Sequence, residues 1–262
     1  MGCCSAQAGA VPFVAGQTDT ATGPVPLVKT QLEFSDNYGN TLRRLSIGRA
    51  GYTVTPGLYG VGSPSEDSPV LVSANYKLSF DALRKELGGV DAWLLVIDTK
   101  GINVWCAAGK GTFGTDELVA RVDEVGLAKV VKHRTLVVPQ LGAPGVSAHE
   151  VKERCGFRVA YGPVRASDLP AFLGNRMKAD EEMRRVRFTL WDRAAVAPVE
   201  LVQGLKPAIF IAAAFLLLSG LGAGFYSADR VVAVGIPSAL LLIGAFVVGA
   251  VVAPLLLPWL PG

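Results

Sequence analysis

Eight consecutive residues, Asn103-Val104-Trp105-Cys106-Ala107-Ala108-Gly109-Lys110, form the most reactive constellation in this 262-residue chain. A Trp and a Cys stand between small residues and are followed by the glycine-rich run GKGTFG. A thiolate is a soft, strong donor, and only the deprotonated form binds metal. A metal held there would itself stabilise the thiolate. Most free cysteines are small buried hydrophobes, so Cys106 is singled out by its neighbours. Of the other three cysteines, Cys155 closes a helical pattern and reads as packing. Cys3 and Cys4 form a vicinal pair that could hand on a soft metal ion. His149 falls in the first turn of a helix and reads as a surface residue. The cysteine spacing does not suit an iron–sulfur cluster.

The octapeptide must be held by the elements around it. From Pro69 the chain alternates strand and helix: PVLVSA, SFDALRKEL, DAWLLVID, TDELVARVDEVG, TLVVPQ, SAHEVKERCG, RVAYGP and SDLPAFLGNRM. The strands are short, apolar and β-branched, as in a parallel sheet covered on both faces. This order predicts an α/β domain with a Rossmann-like parallel sheet. Thr115 is the expected N-cap of the second helix. Ser147 and Glu150 form a capping box for the third, which Gly156 closes. Ligands of such sheets bind beyond the carboxyl ends of the strands, so the loops after Ala74, Asp98, Val138 and Tyr161 are the candidate site. The octapeptide lies in the second of these loops. The third and fourth hold the glycine-containing runs Gly142-Ala143-Pro144-Gly145-Val146 and Gly162-Pro163 with Arg165-Ala166, where backbone can approach a ligand closely. Residues 1–66 read as a mobile lead followed by an ordered entry loop, 67–180 as the α/β domain and 181–206 as a basic linker.

Residues 207–262 are different material. Beyond Lys206 only Asp229 and Arg230 carry charge. The flanking apolar stretches predict two membrane spans, 207–227 and 231–257, since a helix needs roughly 20 apolar residues to cross a bilayer. Gly220, Gly222, Gly224, Gly244 and Gly249 suit close helix–helix approach. Arg184, Arg185, Arg187, Arg193 and Lys206 precede the first span. By the positive-inside rule they put the large domain in the cytoplasm, on a multi-pass protein of the inner membrane. MGCCSAQAGAVPF lacks the features of a cleavable signal peptide, and cytoplasmic cysteines read as reduced thiols. A net charge of +3 is too small to point to nucleic acid.

The octapeptide resembles the NVWCAAGK signature of the HgcA family, the corrinoid proteins of microbial mercury methylation, at all eight positions. VLVSANYKLSFDALR, VVPQLGAPGVSAHEVK and YGPVRASDLPAFL are similar to that family's remaining corrinoid-contacting segments. More distantly they resemble the large subunit of the corrinoid iron–sulfur protein of acetyl-CoA synthesis, which lacks the cap cysteine. The resemblance implies a corrinoid bound base-off, with Asn103 to Lys110 capping its lower face and Cys106 as the axial cobalt ligand. Asn75, Gly142 to Val146, Gly162, Pro163, Arg165 and Ala166 are the remaining implied contacts. It further implies a corrinoid-dependent methyltransferase that receives its methyl group from a folate-dependent methyltransferase and passes it to Hg(II), forming methylmercury. A thiolate trans to the methyl group would push electron density toward it, favouring such an electrophile. A ferredoxin-like protein with two [4Fe–4S] clusters is the implied reductant. That family usually carries more membrane spans than these two. The alternative is a corrinoid methyl carrier of acetyl-CoA-type one-carbon metabolism.

Overall fold

The computed structural model describes residues 12–259, so Cys3 and Cys4 lie outside the described residues. The chain divides into two units. The first comprises residues up to Asn40 together with Ala50–Val186, and the second comprises Thr41–Arg49 with Arg187–Gly262.

In chain order the first unit contains β1 (Val14–Thr20), β2 (Gly23–Val28), α1 (Phe34–Arg44, whose last turn belongs to the second unit), β3 (Gly57–Val61), β4 (Val70–Ala74), α2 (Lys77–Arg84), β5 (Ala92–Ile97) and α3 (Val104–Gly109). It continues through α4 (Thr115–Glu124), α5 (Leu127–Val130), β6 (Thr135–Val138), α6 (Ala148–Cys155), β7 (Arg158–Tyr161), α7 (Leu169–Gly174) and α8 (Glu181–Arg184). The seven strands form one sheet in the order β1-β2-β3-β5-β4-β6-β7. Its β5-β4-β6-β7 half is parallel, as the alternation requires. The buried strands alternate their side chains between two cores. Val70, Val72 and Ala74 face α4 and α6 with Phe113, Leu118 and Phe157, while Leu71, Leu94 and Val96 face α2 and α7 with Phe80 and Phe172.

The lead and entry segment are corrected. β1 and β2 form an antiparallel hairpin, and β3 joins the sheet antiparallel to β5. VAGQTDT and GPVPLV lack apolar alternation and carry two prolines, so they do not read as strands. At the sheet's margin they need bury only one side, where Val25 and Val28 do so. Gly114, not Thr115, is the N-cap of α4; the Thr115 hydroxyl instead accepts a bond from the Ser147 amide at 2.9 Å. Ser147 does cap α6, and Gly156 ends it at φ 78°.

Three buried charges and the half-buried Lys77 tie α2 to the entry segment. Arg84 (0% exposed) donates from Nη2 to Asp36 Oδ2 at 2.7 Å and from Nε to Asp81 Oδ1 at 2.8 Å. Lys77 Nζ donates to Asp36 Oδ1 and Asp81 Oδ2. Arg84 also reaches the Lys29 carbonyl at 2.6 Å. Each carboxylate meets two cations, so the desolvation cost of burial is offset by paired, hydrogen-bonded charge.

The second unit contains α9 (Leu190–Ala194), α10 (Ala197–Leu218), the strand pair β8 (Leu221–Gly222) and β9 (Phe225–Tyr226), α11 (Ala228–Arg230), α12 (Ile236–Val247) and α13 (Ala253–Leu256). These make two helical stretches, Leu190–Leu218 and Ala228–Trp259, each long and apolar enough to cross a membrane. The predicted limits shift: the first stretch begins within the predicted 181–206 linker, and 219–227 turns over as a small hairpin instead of extending the span. Gly220, Gly222 and Gly224 belong to that turn, and a Cβ on Gly244 or Gly249 would meet open space. The close approaches fall at Gly204, against the Phe246 ring, and at Gly235, against Ser219. Pro237 and Pro254 each follow a π-helical segment, Val231–Gly235 and Val248–Val252. The wider turn accommodates the missing donor and the ring's clash with the preceding turn.

Burial alone would raise the Asp36 carboxyl, but bonds from Lys77, Arg84 and the Glu33 amide outweigh it and hold it below the ordinary value. Its contribution is complete above about pH 4 and is lost as pH falls through the lowered folded value. Arg84→Met leaves two buried carboxylates sharing Lys77 alone and should cost about 3 kcal/mol in denaturant melts. Asp36→Asn should flatten the acid limb of the stability–pH curve, measured in detergent below about pH 4.

Candidate functional site

The parallel strands build the site by diverging. β4 and β6 are paired only at Val70–Leu136 and Leu71–Val137, although both continue beyond. They flank the topological switch point, because the chain leaves β4 for β5 on one side and returns to β6 on the other. Ligands of open α/β sheets bind there. A cavity of about 360 Å³ opens beside it, between the strand ends, α2, α3 and the segment after β7.

Its walls are mostly apolar. Leu71 and Ser73 come from β4, Ser79, Ala82 and Leu83 from α2, Val137 and Pro139 from β6, and Gly162, Pro163, Val164, Ala166 and Leu169 from the β7–α7 connection. Asn103, Val104 and Trp105 close the rim. The structure thus gathers Asn103, Val104, Trp105, Gly162, Pro163 and Ala166 of the expected contacts around one cavity. The remaining wall residues lie within the three segments noted for their resemblance but were not named one by one. Ser79, Ala82 and Leu83 share one face of α2 at i, i+3, i+4, a signal that could have found them.

Asn103 to Lys110 is not a loop, as the sequence reading had it. Asn103 caps α3, its Oδ1 accepting from the Cys106 amide at 2.9 Å. Ala107 and Ala108 are buried against the sheet, whereas Trp105 (69% exposed) and Cys106 face outward. Alanine favours helix, and Asn is a strong N-cap, so the local preference was present but brief. Gly109 and Lys110 are exposed at its end.

The Gly142 to Val146 segment packs against α3 from below and does not line the cavity. A Cβ on Gly142 would strike the Phe113 ring, and one on Gly145 would strike the Phe113 carbonyl and crowd Ala108. Ala143 is half-buried, Pro144 exposed and Val146 buried in the core. These residues support the cap. Arg165 is exposed.

Asn75 supports it too. Its Oδ1 accepts from the Thr99 amide (3.0 Å), the Thr99 hydroxyl (2.9 Å) and the Gly101 amide (3.1 Å). Its Nδ2 donates to Asp98 Oδ1 at 3.0 Å. Lys100 (φ 59°) and Gly101 (φ 70°) are both left-handed, and these bonds hold that turn, which delivers the chain to α3. A Lys100 hydrogen bond keeps the Asp98 carboxyl below its usual value, against the opposing effect of burial. His149 is exposed and near Glu153, and the Cys155 thiol donates to the Val151 carbonyl.

Residues 48–173 match the family described as CO dehydrogenase/acetyl-CoA synthase delta subunit. Curated relatives agree with this. The gamma subunit of the acetyl-CoA decarbonylase/synthase complex from Methanopyrus kandleri is 37% identical over 122 residues, covering 46% of this chain and 26% of its own. Those of Methanosarcina acetivorans (33% over 129 residues, 48% and 27%) and Archaeoglobus fulgidus (30% over 122 residues, 46% and 26%) are similar. The α/β domain is similar to these subunits.

The chain spans about a quarter of the length of these relatives. Their similarity overturns the assignment to the mercury-methylation family, and with it Hg(II) as acceptor and methylmercury as product. An eight-residue identity constrains one cap, whereas the similarity over 122 residues extends far beyond it.

Asn75→Leu should leave the Thr99 and Gly101 amides unpaired and destabilise the domain by about 2–3 kcal/mol. Hydrogen exchange should show those two amides losing protection before the core strands do. Unchanged exchange would mean that the turn holds without this bracket.

Proposed function

We propose that the chain is a corrinoid-binding methyl carrier, a methyltransferase component of acetyl-CoA-type one-carbon metabolism. One conjunction carries the reading: a domain similar to acetyl-CoA decarbonylase/synthase subunits has its cavity at the switch point, rimmed by a cap that exposes Cys106.

The residues fit such a group. The cavity is within the size range of ligand sites; it is smaller than a whole macrocycle and would take one arm of the cofactor. Ala82, Gly162 and Ala166 leave its walls smooth, while Ser73 and Ser79 add hydroxyls. When bound, the corrinoid supplies a cobalt centre able to accept and release a methyl group. Cys106 would offer a soft donor for that metal. Asn103 orients the thiol-bearing turn through the Cys106 amide. Trp105 screens the rim from water. Asn75, Gly142 and Gly145 hold α3 in place. None of these residues needs to act as a general base.

A folate-dependent methyltransferase as methyl source and a ferredoxin-like [4Fe–4S] protein as reductant complete the proposed cycle. The two apolar helices anchor the carrier in the cytoplasmic membrane, with the α/β domain on the cytoplasmic side.

Electron paramagnetic resonance of the purified chain loaded with a cobalamin and poised as Co(II) tests the site. We expect no nitrogen superhyperfine splitting. Splitting from the nucleotide base would overturn ligation by Cys106, and failure to retain any corrinoid would overturn the function. Cys106→Ala should keep the cofactor while methyl transfer falls roughly tenfold or more; Cys106→His should show imidazole splitting. For topology, a reporter at Asp229 should be periplasmic and one after Gly262 cytoplasmic, whereas cytoplasmic signal at both positions would exclude insertion.

A further inference from the structure

The cavity at the strand ends offers hydroxyls and an amide but no charge. Ser73 on β4, Ser79 on α2 and Asn103 at the start of α3 line it, and among the described residues no charged side chain does. The phase of α2 explains this. Lys77, Asp81 and Arg84 recur at i, i+4 and i+7, whereas Ser79, Ala82 and Leu83 fall on the opposite face of the helix. Both cations are held on the first face by Asp36 and Asp81, so α2 turns only its neutral side to the cavity. Arg165 stands between the wall residues Val164 and Ala166, yet it is exposed, lies outside the wall and has a contact of its own.

The neutral groups keep unused hydrogen-bonding capacity. Ser73 is 3% exposed, and its hydroxyl makes one long bond, 3.3 Å to the Ala74 carbonyl next to it. The Ser79 hydroxyl has no partner among the described residues. Asn103 Oδ1 is committed to the Cys106 amide, which leaves Nδ2 as its available end. A hydroxyl both donates and accepts, and an amide nitrogen donates. Such a set matches a primary carboxamide, with its two N–H donors and one acceptor oxygen. A carboxylate is a poor match, because burying an anion with no cation opposite costs far more than burying a hydrogen-bonded amide.

We propose that the cavity selects a corrinoid whose inserted side arm ends in a neutral carboxamide and rejects the same arm ending in a carboxylate. The inference rests on the corrinoid reading above and assigns this cavity the choice among corrinoids that differ in the amidation of that arm. Specificity comes from the counter-charge that the walls withhold as much as from the bonds they offer.

The purified full chain in neutral detergent is titrated by equilibrium dialysis at pH 7 with aquacobalamin and with its singly hydrolysed derivatives, each bearing one carboxylate in place of one carboxamide. One derivative should bind roughly tenfold or more weakly than the parent, while those altered at arms outside the cavity stay within about twofold. Ser73→Ala with Ser79→Ala should weaken the parent roughly tenfold, and Ser79→Thr should retain its affinity. A cation placed in the wall, by Ala82→Lys or Ser79→Lys, should narrow the gap between the parent and the penalised derivative in at least one of the two variants. Equal binding of the parent and every derivative, full affinity for the parent in the double Ala variant, or a gap that persists in both Lys variants would overturn the selection. A chain that retains no corrinoid at all refutes the corrinoid reading itself, whereas one that retains every derivative equally refutes the selection alone.

Discussion

Asn75 stands at the carboxyl end of β4, where its side-chain amide spans from one strand loop to the next. Three donors converge on Oδ1, and Nδ2 returns a bond to Asp98. Its backbone is engaged as well: its amide donates to the Ile97 carbonyl, and its carbonyl accepts from Val54. The turn through Lys100 and Gly101 is left-handed at both residues, a conformation costly for Lys outside a supporting frame. Because α3 begins directly after this turn, the position of Cys106 depends on a residue that contributes nothing to the cavity wall.

The buried charge cluster plays the matching role on the opposite wall. Arg84 and Lys77 secure α2 to Asp36 and to the chain leaving β2, and α2 presents Ser79, Ala82 and Leu83 to the cavity. Isolated ions at such burial would be prohibitively costly, so the four groups are retained or lost together. Glycine performs the remaining adjustment. Gly142 and Gly145 let a turn press against Phe113 and Ala108 beneath α3, and no larger residue fits that approach.

Much of this was legible in the residues. The βα alternation from Pro69, the Ser147 cap, the Gly156 terminus and the two apolar stretches depend on local propensity and period, which neighbouring residues decide among themselves. The octapeptide drew attention to Cys106, which is exposed on α3, yet it misdirected the family assignment, since a short identity reports on one segment's constraints alone. Asn75 was picked out as an implied ligand contact, and its side chain brackets the turn through Lys100 and Gly101. A side-chain amide serves either use, and the type alone does not distinguish them.

What the sequence by itself determined is therefore the class of the domain, its strands and helices, and the apolar segments, because hydrophobic period and capping act within a few residues. Tertiary structure alone decided that β1, β2 and β3 extend the sheet, since polar or proline-containing strands gain stability only from partners far along the chain. It alone decided that β4 and β6 part to open the cavity, and that Thr41–Arg49 lies beside α10. These are contacts between residues widely separated in sequence, and their energies exist only once the chain has closed the loops between them.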